Sequence, residues 1–490
     1  MDGTLNKPEV STVDTAILLA SSGVFDLSLA TGKTKVTALT RVGGLTLFQR
    51  TVFTLQRAGI SQILALVGEE EQHLRSLIHK DDRVQAAIRW LPIREFPPSD
   101  PQTWETLANE IKGSCLVLGC HMVFAPSLVE SLRDGVRDGR VTVAIGRPGD
   151  EGWKANPGVV MRADPHPGGM THRVVFQDQT LEPAPDVKDS ECRLAPAADL
   201  VVLPSRLLGI SGAWKTSTGG PIRLALEQAA AEGIVKTVST TSKDYLDARG
   251  PKGLVRAEQM LFRSLQTVKG GLDGFVDRYV NRKLSGILTR LFIQLGLSPN
   301  AITIFSMLIG LLGAGFLAGG SYELGIIGAL LFQFSVIVDC CDGEVARLTF
   351  AESRFGQELD IIADNVVHMA IFAGIAWGAY LVGPWQQSPL PLVLGSIAVV
   401  ANGFSLWFVN RVRYLKSNPR AWRQMSSVQR TRLEFILGNV ANRDFSVVVL
   451  MFACLGLLPW FLWLGALGSA FFGLMMGWTL RNAPPPPTSQ

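Results

Sequence analysis

Residues 339–364 read DCCDGEVARLTFAESRFGQELDIIAD, and the four aspartates in this run decide how the rest of the chain is understood. Asp339 and Asp342 stand three residues apart and Asp360 and Asp364 four apart, so each pair shares one face of a helix. The pairs close off two apolar stretches, Leu324–Val338 before them and Asn365–Asn410 after, neither holding a single charged residue. If the two helices form a hairpin, four carboxylates converge near its turn. Ionisable groups in a membrane segment are expensive and mark functional sites by default. Such a cluster would repel itself or take up protons. Hard divalent cations with oxygen ligands relieve the repulsion, and two Mg2+ or Mn2+ ions suit four carboxylates. The competing reading is a salt-bridged helix pair using Arg347 and Arg354. Two arginines against four aspartates leave the local charge negative.

Outward from this run, charge thins sharply along the chain. The first 300 residues hold 67 Asp, Glu, Lys and Arg, or 22%, and the last 190 hold 21, or 11%. A soluble front therefore joins a membrane-like back. Charge-free runs of 22, 15, 46 and 36 residues begin at Ala301, Leu324, Asn365 and Phe445. A crossing helix needs about 20 apolar residues. The 46-residue run is thus two helices split by VGPWQQSPLP, and the 36-residue run is two split near Leu458-Pro459-Trp460. The 15-residue run continues helically to about Ala346, which makes six spans. Arg278, Arg282, Lys283 and Arg290 precede the first span, and Arg411, Arg413, Lys416, Arg420, Arg423, Arg430 and Arg432 link the fourth and fifth. By the positive-inside rule both termini and the soluble half are cytoplasmic. A net charge of +4 is too small to argue for a nucleic-acid partner.

The motif run is Asp-x2-Asp-Gly-x2-Ala-Arg-x8-Gly-x3-Asp-x3-Asp with every spacing met. It resembles the signature of the CDP-alcohol phosphatidyltransferase family, six-span membrane enzymes. The upstream DRYVNRKLS and LSPNAIT resemble that family too, and the likeness covers about Leu272 to Leu480. The resemblance implies an enzyme that displaces CMP from a CDP-alcohol by an acceptor hydroxyl, with two metals on the pyrophosphate. It implies Asp339, Asp342 and Asp360 as principal metal ligands. It implies Asp364 as the general base and as a further metal ligand, since only this cluster offers a carboxylate near the acceptor. Gly343 and Ala346 lack bulk and would let the cytidine nucleotide lie close, Arg347 would neutralise phosphate, and Gly356 would allow close approach of the third span or be a loop glycine. Arg411 and Arg413 have two readings, a positive-inside anchor or a pocket for a phosphorylated acceptor. His368 reads as a packed helix residue. Homodimerisation is expected from the resemblance alone.

The front half alternates strands and helices: TAILLA, LTLFQRTVFTLQRAG, QILALVG, SCLVLG and VTVAIG. This pattern predicts an α/β, Rossmann-like domain with a largely parallel sheet. AILLASSG, VTALTRVGGLTLFQRTVFTLQRAGI and CLVLGCHMVFAPSLVESL resemble the nucleotidyltransferases that make nucleoside-diphosphate sugars and alcohols. The departures from that family concern its chemistry. Its glycine-rich phosphate loop is SSGVFDLSLATGK here, with Asp26 where positive charge is wanted and Lys33 and Lys35 out of register. Its Pro-Lys is Val36-Thr37, and its Mg2+-binding aspartate is Cys120, followed by His121; a thiol is a poor Mg2+ ligand. The domain is therefore expected to be degenerate. Asp244 and Asp247 could join a metal site, but they read better as ordinary surface aspartates.

The expected domains are 1–245, an interfacial linker at 246–271 carrying the amphipathic VRAEQMLFRSLQTV, the membrane domain at 272–482, and a disordered proline-rich tail at 483–490. The same order resembles bifunctional enzymes that make CDP-inositol from CTP and inositol phosphate, then transfer phosphoinositol to inositol phosphate. With a dead first domain the CDP-alcohol must come from elsewhere, CDP-diacylglycerol for phospholipid synthesis being one source. The rival class is a non-catalytic membrane scaffold or a transporter with an acidic ion site. The complete motif and the lack of a second polar cluster along a pathway weigh against it.

Overall fold

Strand β1 (Thr15–Ala20) buries all six of its side chains, as a strand covered on both faces must. The computed structural model describes residues 13–20, 36–134, 140–146, 159–166, 169–176, 194–208, 225–267 except 227, 230, 242 and 249, 281–418, 422, 425–431, 433 and 445–480. They fall into two units, Met1–Ser264 and Leu265–Gln490.

In the first unit β1 is followed by α1 (Leu47–Arg57), β2 (Gln62–Val67), α2 (Glu71–His79), β3 (Ala87–Pro92), α3 (Pro101–Glu110), β4 (Ser114–Gly119), α4 (Pro126–Asp134) and β5 (Val141–Gly146). Strands β6 (Val159–His166), β7 (Gly169–Phe176), β8 (Leu194–Pro204) and β9 (Val235–Thr240) come next, followed by α5 (Gly250–Thr267), whose last three residues fall in the second unit. Strands β3-β2-β1-β4 pair in parallel, as the alternation predicts. Beyond β4 the sheet turns mixed: β8 runs antiparallel to β4, to β5 and to β6. The cause is a change in the order of elements. Parallel neighbours need a long crossover, and after β5 described strands follow strands.

Side-chain alternation separates two cores. Ala16 and Leu18 join Leu116, Ile63 and Ala65 on one face, beneath Phe48 and Val52 of α1, Leu128 of α4, and Ala257 and Met260 of α5. Ile17 and Leu19 join Leu64, Cys115 and Val117 on the other, beneath Trp104 and Leu107 of α3. The amphipathic stretch expected to be a linker thus spends its apolar stripe on the core of the first unit. Helix α1 starts with a reciprocal cap: the Gln49 amide donates to Thr46 Oγ1 at 3.2 Å and the Thr46 amide to Gln49 Oε1 at 3.3 Å. The turn before it is held by buried Arg50, which donates to Val42 O at 2.9 Å and Gly43 O at 3.0 Å. Burial lowers this guanidinium to about 10, so it stays charged at neutral pH.

The second unit is helical: α6 (Arg282–Gln294), α7 (Pro299–Leu317), α8 (Tyr322–Thr349), α9 (Arg354–Leu381), α10 (Leu390–Ser417), α11 (Phe445–Cys454) and α12 (Leu458–Leu480). Serine oxygens cap three of the starts, Ser298 to the Ala301 amide, Ser321 to that of Leu324 and Ser353 to that of Gly356. Among the described residues α7, α8, α9, α10 and α12 are long and apolar enough to cross a bilayer, and α11 is shorter. Large apolar side chains such as Leu308 on α7 and Phe471 on α12 point outward, the reverse of a soluble protein.

Inside, small residues bring the helices together, as expected where lipid removes the hydrophobic drive between them. A Cβ on Gly328 of α8 would stand 2.7 Å from Gly313 O and 2.9 Å from Leu317 N, both on α7. Gly374 and Gly378 of α9 lie equally close to Ala314 O and Leu317 O. Backbone cannot move aside as a flexible side chain can. Gly328→Val is therefore expected to cost about 3 kcal/mol through overpacking, read as a lower melting temperature in detergent. Unchanged melting would mean that α7 and α8 do not meet here.

Candidate active site

Helix α8 runs through its polar stretch without a break and stops at Phe350, whose φ of +55° turns the chain. Four residues later α9 begins, so the two helices form the hairpin that the aspartate spacing requires. One carboxylate oxygen from each of Asp339, Asp342 and Asp360 lies within 4.8 Å of the others. Asp339 and Asp342 are buried and Asp360 is half-buried. Asp364 stands one turn further along α9, half-buried and outside this group of three. Helix α7 supplies hydroxyls to the trio: Thr303 donates to Asp342, and Ser306 Oγ lies 3.4 Å from Asp339 Oδ1.

The other motif residues surround the trio on the same hairpin. At about 100° per residue, Gly343 and Ala346 fall within about 40° of Asp339 around α8. They leave that face without bulk between Asp339, Asp342 and half-buried Arg347. Gly356 lies in the first turn of α9, not in a loop, and a Cβ there would meet Asn300 Oδ1 of α7 at 2.9 Å. Arg411, near the end of α10, sits 5.6 Å over the Tyr414 ring, and Arg413 is exposed. Arg278, Arg420, Arg423 and Arg432 lie outside the described residues. His368 packs edge-on between Phe332 and Phe445, at 5.8 and 5.2 Å, with Nδ1 2.8 Å from Asp364 O.

Several polar residues escape the sequence reading. Thr303 and Ser306 stand three apart in an otherwise apolar helix, a spacing that could have marked them. Glu344 is buried on α8 and accepts from Ser285 Oγ and Thr289 Oγ1 of α6, each at 2.7 Å. The trio itself is an all-oxygen, anionic donor set, which fits Mg2+ or Mn2+ and not a soft metal. The neighbouring sulfur of Cys341 is turned instead toward Ser285 O and Ile337 O.

The first unit offers no comparable group among the described residues. Cys120, just past β4, is fully buried, and burial drives its thiol far above the usual range, so no thiolate is available there. His121 beside it is also fully buried. Thr37 donates its amide to Thr40 Oγ1 at 2.9 Å, a turn contact with no charge to offer. Asp26, Lys33 and Lys35 lie outside the described residues. Asp244 accepts from Thr241 Oγ1 at 2.8 Å within a turn, and Asp247 pairs with Met122 in a small two-stranded sheet.

A carboxylate trio on a membrane hairpin, built for hard cations, is the equipment of a membrane transferase working on phosphate groups. The chain belongs to the CDP-alcohol phosphatidyltransferase family, whose model matches residues 296–471. It is 30% identical over 349 residues, 70% of this chain and 72% of the relative, to the "Bifunctional IPC transferase and DIPP synthase" of Rubrobacter xylanophilus. That share exceeds what the second unit holds, so the likeness reaches into the first. The "Phosphatidylinositol phosphate synthase" of Mycobacterium marinum is 31% identical over 105 residues, 21% of this chain and 43% of the relative. The structure of the inositol-1-phosphate CTP transferase from T. maritima covers 51% of this chain and 96% of its own, at 12% identity and a TM-score of 0.35. A likeness that low adds nothing to the assignment.

Proposed function

We propose that Asp339, Asp342 and Asp360 hold two divalent cations against the pyrophosphate of a CDP-alcohol, and that Asp364 serves the acceptor. The convergence of three carboxylates on one hairpin carries this reading. Bound there, Mg2+ or Mn2+ would neutralise charge on the leaving phosphate. Asp364, outside the trio, takes the proton of the acceptor hydroxyl. The acceptor oxygen bonds to the phosphorus that carries the alcohol, the bond from that phosphorus to CMP breaks, and the electron pair leaves with CMP. Gly343, Ala346 and Gly356 leave room for the nucleotide, and Arg347 faces its phosphates. Arg411 and Arg413 take a phosphorylated acceptor or anchor the cytoplasmic side. The proposed topology is six spans with both termini cytoplasmic, in a membrane domain of residues 272–482.

We read the donor as a CDP-polyol or CDP-diacylglycerol. The match to a bifunctional relative across both units supports a second reading, in which the first unit also makes the CDP-alcohol. Purified protein with Mg2+ or Mn2+, offered a panel of CDP-alcohols with free and phosphorylated acceptors, is expected to release CMP from at least one. No CMP from any pair would overturn the assignment of this site.

A further inference from the structure

We propose that Glu344 is a positioning residue, which ties α6 to the back of α8 and so sets the rotation of the face that bears Asp339 and Asp342. The inference rests on the metal-binding reading of that face.

Glu344 lies two residues beyond Asp342, but about 140° around the helix from Asp339 at roughly 100° per residue. It points away from the trio and into α6. Its two oxygens divide between two donors, Ser285 Oγ on Oε1 and Thr289 Oγ1 on Oε2, both at 2.7 Å and all buried. Two further contacts fasten the same pair of helices. Gln333 Nε2 donates to Asn281 Oδ1 at 2.9 Å, and Cys341 Sγ lies 3.6 Å from Ser285 O. From Asn281, which precedes α6, to Thr289 within it, the partners advance from Gln333 to Glu344 on α8, so the attachment runs along both helices.

On its other side α8 meets α7, where Thr303 reaches Asp342 and Ser306 reaches Asp339. Helix α8 is thus held from both sides at the level of the motif. Hydroxyls on α7 act on the aspartates themselves, and hydroxyls on α6 act through Glu344. A small rotation of α8 would carry Asp339 and Asp342 away from Asp360, which belongs to another helix. An aliphatic side chain would fill the space between α6 and α8 as well as a glutamate does. It would hold the rotation less sharply, because side-chain packing is less directional than two hydrogen bonds to one carboxylate.

The test compares full-length wild type with Glu344→Gln, Glu344→Leu and Ser285→Ala, using Mn2+ alone as probe, followed by the free-ion electron paramagnetic resonance signal, alongside melting temperature and CMP release. Glu344→Leu is expected to weaken Mn2+ binding about tenfold. Glu344→Gln is expected to keep it within about threefold, since each hydroxyl can donate to the amide oxygen or accept from its nitrogen. Ser285→Ala is the milder lesion, expected to weaken Mn2+ binding about fivefold, and wild-type affinity there would overturn the positioning role if Glu344→Leu does not fold. Wild-type Mn2+ affinity in folded Glu344→Leu, with only a lower melting temperature, would overturn the positioning role. Loss of Mn2+ in Glu344→Gln as severe as in Asp360→Asn would overturn it too, making Glu344 a ligand. Absence of Mn2+ binding in wild type would sink the metal reading, and this inference with it.

Discussion

Asp360→Asn is expected to abolish CMP release, by roughly a thousand-fold, while leaving the protein folded. Asp360 is the one member of the trio that α9 contributes. The substitution keeps its shape and removes its charge, so the helix and its cap at Ser353 are untouched. What is lost is one anionic oxygen of the three, and with it the closure of the site across the hairpin. Removing one of three like charges also relieves repulsion, so the melting temperature should hold or rise in the absence of metal. Mn2+ binding should fall together with activity. Asp364→Asn provides the contrast, because that carboxylate stands outside the trio. It should lose turnover as completely yet retain most Mn2+ affinity. A tenth or more of wild-type activity in Asp360→Asn, with binding intact, would remove Asp360 from the site.

Much of this arrangement was legible in the sequence because charge is so sparse after residue 300. A carboxylate in an apolar run has few explanations, and spacings of three and four fix its helix face whatever the neighbouring helices do. The hairpin follows from two short-range facts, the polar interval between the runs and Ser353 before the second. The residues that stayed hidden act across helices. Glu344 reads as another acid in a polar patch until Ser285 and Thr289, more than fifty residues earlier, are placed against it. Gly356 was ambiguous because loop glycines and first-turn glycines look alike in one dimension. Its place in the first turn of α9 decides between them. In the first unit, the sequence pattern located α1 and the strands β1, β2, β4 and β5. It could not tell that β8 would add in the antiparallel sense, since strand direction depends on the connection and not on side-chain alternation. The amphipathic stripe of α5 was equally silent about what it covers, because a soluble core and a membrane surface bury the same residues.

The full-length protein is also expected to release no pyrophosphate above background from CTP, Mg2+ and phosphorylated polyols, under conditions where it releases CMP from a preformed CDP-alcohol. This expectation applies to the whole chain and is all or none. Nucleotidyl transfer needs charge at two places, a cation on the triphosphate and a carboxylate for Mg2+. At the second place the chain has Cys120, which is fully buried and held as a neutral thiol by that burial. Mg2+ dehydrates reluctantly and prefers carboxylate oxygen, so a buried S–H is no replacement. At the first, the Val-Gly-Gly turn keeps its shape through Arg50, whose guanidinium is spent on Val42 O and Gly43 O. The residue that would carry a lysine is Thr37, committed to its own turn. Among the described residues, the Val-Gly-Gly turn is kept while neither Thr37 nor Cys120 offers the charge that nucleotidyl transfer needs. Cys120→Asp alone should not restore activity, because it returns one of the two and buries a carboxylate among apolar neighbours. Pyrophosphate release that depends on both CTP and the phosphorylated polyol would overturn this view and make the chain a producer of its own donor. The expected outcome makes transfer by the membrane unit depend wholly on CDP-alcohol made elsewhere.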